Sequence, residues 1–171
     1  MVSKEFYDEL YELLENVTPL MVDCGGLCNG ACCKGDGETG MYLFPGEEAE
    51  YDGSEKWLKI YESDFVFENK PVKIAICDGT CERKKRPLSC RIFPLFIDEK
   101  GKLVPDARGK WLCPLVTANI EFDQYDPLFI ENVTKVFKKL MENEVTQKYI
   151  KETQEIIKEH CKLNDIFTLN K

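Results

Sequence analysis

Histidine is nearly absent from this sequence: 171 residues carry one, His160. A Ser-His-Asp or Cys-His mechanism needs a placed imidazole, and a single one at the end of a polar stretch disfavours both. Long apolar runs are missing too. None approaches the roughly 20 residues that cross a bilayer, so no membrane partner is expected. Positive charge is in deficit, with 23 Lys and Arg against 31 Asp and Glu for a formal charge of -8. A domain so acidic repels phosphate backbones, which argues against nucleic acid and leaves a protein as the possible partner. The opening residues Met1 to Glu9 are charged where a secretion signal has its apolar core, so a cytoplasmic location is expected. No repeat, low-complexity tract or linker divides the chain. A single domain over 1–171 is the expectation, long enough to bury a core.

What is abundant is sulfur. The stretch Cys24-Gly25-Gly26-Leu27-Cys28-Asn29-Gly30-Ala31-Cys32-Cys33 sets four thiols within ten residues, and Cys77, Cys81, Cys90 and Cys113 follow. Only a disulfide framework or soft-ligand metal coordination needs such density. A reducing cytosol disfavours disulfides and the total of nine is odd, so metal is the preferred reading. The ninth thiol, Cys161, reads as a helix-face residue beside His160.

Cys24, Cys28 and Cys32 are four apart, which on a helix would align them. Three interspersed glycines argue instead for a loop whose backbone N–H groups approach the sulfurs. Adjacent Cys32 and Cys33 point apart in extended backbone, so they serve two metals, or different irons of one cluster, more naturally than one ion. Eight cysteines make two sets of four, the coordination number of a zinc site and of a cubane cluster alike. Spacing does not assign a thiol to either set. Cys113-Pro114 and the double cysteine lean toward an iron–sulfur cluster, 4Fe–4S above others, with zinc as the alternative, since thiolates accept both.

The run Cys24, Cys28, Cys32-Cys33, followed by Cys77, Cys81, Arg86-Pro87, Cys90-Arg91-Ile92-Phe93-Pro94 and Cys113-Pro114, resembles the YkgJ-type family of zinc- or iron-chelating CxxCxxCC domains. The resemblance covers about residues 24–114, a core to which a helical extension at about 126–161 is added. It implies metal in cysteine ligands. The chain departs from the family pattern in its three-residue gaps before Cys28 and Cys32, where the family usually has two.

Around the thiols, Arg83-Lys84-Lys85-Arg86 is a basic run in an acidic chain. Arg86 and Arg91 are read as cofactor-binding charges that offset thiolate or cluster charge. Asp23, Asp36, Glu38, Glu47 and Glu48 are acid/base candidates whose default is surface. Gly35-Asp36-Gly37 is too short for a phosphate loop. Trp57 and Trp111 are expected in the core.

Periodicity supplies the frame. Ser3 caps an amphipathic helix over 3–17 that Pro19 stops. Residues 56–77 read as extended runs turning at Glu68-Asn69-Lys70-Pro71. Ile92–Ile97 and Lys102–Val104 form a second hairpin across Asp98–Gly101, with Pro94 marking an edge. Asp126-Pro127 starts a helix with Leu128, Phe129, Val133, Val136, Phe137, Leu140 and Met141 inward, and a second runs from Thr146 to about Cys161. The expected fold class is α+β: a small antiparallel sheet with cysteine-rich metal-binding loops, an N-terminal helix and a C-terminal helical pair. The expected function is an iron–sulfur protein, a redox or maturation accessory; the alternative is a zinc-stabilised interaction module. An enzyme would need an open coordination position, which no motif supplies.

Overall fold

The structure, a computed structural model, describes residues 2–22, 24–33, 40–79 and 81–169, with 163–169 described by backbone alone. Asp23, the Gly35-Asp36-Gly37 run and Glu38 lie outside the described residues.

The fold is α+β. The N-terminal helix α1 (Lys4–Leu14) begins where Ser3 Oγ accepts from Phe6 N–H, and it buries Tyr7, Leu10 and Leu14. It ends four residues before Pro19. The C-terminal pair α5 (Pro127–Glu142) and α6 (Glu144–Leu169) begins at the anticipated Asp126 cap, whose carboxylate accepts from Leu128 N–H. Phe129, Val133, Val136, Phe137 and Leu140 turn inward, whereas Leu128 is exposed. Each fully buried Leu, Val or Phe contributes about 1.5–3 kcal/mol by leaving water. Asn132 on α5 donates to the Leu13 carbonyl, and Lys139 pairs with Glu9, so α5 lies along α1.

Three strands form the larger sheet in the order β1 (Met41–Tyr42), β3 (Lys70–Cys77), β2 (Leu58–Phe67), all antiparallel. The two extended runs before residue 68 are one strand. Their polar break at Glu62–Asp64 falls where the register shifts, between Glu62 and Val66. The hairpin turns on two residues, Glu68 and Asn69, both at positive φ. β3 ends at Cys77, opposite Leu58.

A second two-stranded sheet pairs β4 (Leu95–Ile97) with β5 (Leu103–Pro105). Pro94 stands before β4 rather than inside it, after a cis bond from Phe93. Residue 92 belongs instead to the short helix α3 (Leu88–Ile92).

Two apolar clusters result. The larger unites α1, α3, β4, α5 and α6; the smaller holds Leu43, Trp57, Leu58 and Ala75 under the first sheet. Trp57 is in the core as expected, but Trp111 is 45% exposed, with Lys110 over its ring. Among the described residues no helix is long and apolar enough to cross a membrane.

Candidate metal centre

The cysteine-rich stretch is more helical than its glycines suggest. Gly25–Cys28 makes one α-helical turn (α2), closed by Asn29 and Gly30 at positive φ, and Ala31–Cys33 makes a single 3-10 turn. The reversal at residues 29–30 lets the second turn follow directly on the first. Cys81 follows the end of β3 across a short loop in which Gly79 N–H donates to Cys77 Sγ at 3.2 Å. A side chain at Gly79 would meet the Cys33 carbonyl at 3.0 Å, and its φ of +92° is one that L-residues rarely adopt. Glycine at this position is what lets the two cysteine segments meet. Cys90 comes from α3, and Cys113 caps the one-turn helix α4 (Pro114–Thr117), which starts on Pro114.

These segments gather all eight predicted thiols around two adjoining cavities. One, of about 240 Å³, is lined by Cys24, Cys28, Cys32, Cys90 and Cys113. The other, of about 90 Å³, is lined by Cys32, Cys33, Cys77, Cys81 and Cys90. Cys32, Arg86 and Cys90 belong to both walls. Among the described residues no disulfide is formed by any of the nine cysteines. Cys161 lies on α6 against the main core, and neither it nor exposed His160 lines a cavity.

The sulfurs act on one another. Cys32 Sγ lies 3.9 Å from Cys33 Sγ, and that hydrogen bond holds the exposed Cys32 thiol below its ordinary pKa while raising that of Cys33. Hydrogen bonding to Cys33 and burial push Cys81 up, opposed by Arg86, whose Nη2 donates to Cys81 Sγ at 3.2 Å. Burial raises Cys90, the charge of Cys33 adding to it and Arg86 opposing it, and burial likewise raises Cys113.

Of the two predicted arginines, Arg86 touches a thiol, that of Cys81. Arg91 donates to the carbonyls of Arg86, Lys84 and Tyr11 and stacks over the Tyr11 ring at 4.4 Å. It is spent on holding the basic turn 83–86 in shape, and so acts on the sulfurs through Arg86.

Three polar atoms here went unread in the sequence. Arg86 Nε, Trp57 Nε1 and Tyr125 Oη are buried donors with no hydrogen-bond partner. Arg86 lines both cavities, Trp57 the smaller, and the Tyr125 hydroxyl feels the charges of Cys113 and Cys24, being pushed by burial first and by them next to about 12. Each such donor costs about 1–3 kcal/mol unless an acceptor meets it. Thiolate or sulfide sulfur is an acceptor, so the donor set suits a soft metal or cluster in chemistry. In geometry the site is gathered but not clamped: among the described residues no group of three or more His, Cys, Asp or Glu side chains is disposed to hold an ion as it stands.

Glu47 corrects the surface default for the acidic candidates. It is fully buried, and its carboxylate accepts from Tyr11 Oη at 2.6 Å, Leu88 N–H at 2.6 Å and Phe44 N–H at 2.8 Å. It ties α1, the segment after β1 and α3 together, and so places Cys90 without touching it. Glu48 remains a surface-side residue that accepts from Gly46 N–H.

Comparison with family models, with curated proteins and with solved structures finds no match. The geometry therefore carries the functional reading.

Proposed function

We propose that this chain is a metal protein that holds iron–sulfur in cysteine ligands and serves as a redox or maturation accessory. The supporting observation is the convergence of Cys24, Cys28, Cys32, Cys33, Cys77, Cys81, Cys90 and Cys113, from four separate stretches of chain, on two adjoining cavities. A merely structural use of cysteine would not draw eight unbridged thiols to one end of the molecule. Their mutual repulsion as thiolates is a cost that only a cation or proton removes. Arg86 offsets part of that charge, and the unpartnered N–H and O–H donors beside the sulfurs suit cluster sulfur, whose potential such bonds set. The motif resemblance to the YkgJ-type family points the same way.

Bound iron–sulfur supplies one-electron chemistry; the chain supplies ligands, charge balance and a wall of apolar side chains. Because the thiols stand near one another without closing on an ion, loading draws the 24–33 segment inward and adds to folding stability. Anaerobic purification with visible absorption and metal analysis tests the proposal. Brown protein with iron and acid-labile sulfide supports it. Colourless protein with zinc replaces it with a zinc-stabilised interaction module, and metal-free protein removes both.

A further inference from the structure

Resting on the metal-binding reading, we infer that the thiols form two separate four-sulfur centres, each with its own buried hydrogen-bond donor. The first centre is Cys24, Cys28, Cys32 and Cys113, with Tyr125 Oη as donor. The second is Cys33, Cys77, Cys81 and Cys90, with Trp57 Nε1 as donor.

Two features of the geometry divide the sulfurs this way, and the charges around the shared cysteines agree with them. The cavities do so first: Cys24, Cys28 and Cys113 line only the larger, and Cys33, Cys77 and Cys81 only the smaller. Packing repeats the division. Cys24 and Cys113 rest on the main core, whereas Cys77 and Cys81 rest on the small cluster that contains Trp57. Charge neighbours then fit the two cysteines common to both walls into the division. Cys32 feels Cys28 and Cys24 more than Cys90, while Cys90 feels Cys33 and Cys81. The adjacent pair Cys32-Cys33 is thus split, one sulfur to each side.

The donors follow the same line. Tyr125 is 2% exposed, its hydroxyl has no partner, and it sits in the core on which Cys24 and Cys113 rest, where it feels the charge of both. Trp57 is 8% exposed and its indole N–H, also without a partner, lies in the wall of the smaller cavity. A buried donor left unmet is costly, and a ligand sulfur is the acceptor at hand in each place. Both are positioning residues, and hydrogen bonds from them to sulfur favour the reduced, more negative state of the centre they serve.

The test uses the full chain, purified anaerobically, with metal per chain and reduction potential as readouts. Cys113→Ser and Cys77→Ser each lower metal per chain by about half, and the double variant abolishes binding. Tyr125→Phe and Trp57→Phe keep the packing and remove one donor each. In the Cys77→Ser background Tyr125→Phe lowers the remaining potential and Trp57→Phe leaves it unchanged; in the Cys113→Ser background the roles reverse. Complete loss of metal in either single serine variant, from a wild type that loads, means one shared centre and overturns the division. So does a Phe variant that moves both potentials or neither. A wild type that takes up no metal at all overturns the underlying reading instead.

Discussion

Glu47 shows how much one side chain decides. Burial raises its pKa, against three donors and the charge of Arg91. Glu47→Gln keeps the size but turns an amide donor toward Phe44 N–H or Leu88 N–H. Replacement is expected to cost about 2 kcal/mol in urea unfolding, as an unmet buried bond does. Nothing local announces this residue. Its partners Tyr11 and Leu88 lie 36 and 41 positions away, whereas the cap at Ser3 and the Asp126-Pro127 start are legible because each meets its partner within a turn. The cysteines themselves were readable by density alone. Their donors were not, since a buried tryptophan or tyrosine looks the same in a sequence whether its polar atom faces carbonyl, water or sulfur.

At the level of the elements, the β2–β3 hairpin carries a correctable defect. Glu68 sits at φ +48°, a conformation that costs an L-residue with a long side chain roughly 1–2 kcal/mol. Its pairing with Lys148, 3.4 Å away and exposed, returns little. Glu68→Asn is expected to stabilise the protein by about 0.5–1 kcal/mol, seen as a rise in thermal midpoint. Gly40 works in the other direction. A Cβ there would stand 2.5 Å from the Ala75 carbonyl, so Gly40→Ala must push β1 off β3 and is expected to cost about 1–3 kcal/mol. Both readings need the paired strands in view. Alternation located the strands, and the bulge surfaced as a polar gap between two runs. The short helices α2, α3 and α4 left no periodic trace, because four or five residues complete barely one turn. The sequence places the end of the second helix at about Cys161, whereas α6 runs on to Leu169.

Over the whole molecule, burial of tyrosine governs the alkaline limit. Tyr7, Tyr11, Tyr51 and Tyr149 all have pKa values raised above the ordinary 10.0, by burial before any neighbouring charge. The native chain keeps protons that an unfolded chain releases near that pH. Their stabilisation is whole below pH 10 and is lost progressively above it, so unfolding free energy falls steeply between about pH 10 and 12. Tyrosinate absorbance rises together with loss of helix, and Tyr51→Phe makes the decline shallower. On the proposed function, metal removal acts on a different part. The buried residues of α1, α5 and α6 pack on one another, with Cys24 and Cys113 only partly buried against them, so on that reading chelation is expected to abolish hydrogen-exchange protection in residues 24–33 while leaving α5 protected.

The seam between Cys32 and Cys33 has a further consequence. Two sulfurs 3.9 Å apart on consecutive residues put the two halves of the cysteine end in conversation through a single peptide link. Air that oxidises the outer sulfur changes the surroundings of the inner one at once. On the two-centre reading the protein then reports on its two halves jointly, and a titration that treats them as strangers is expected to fit poorly.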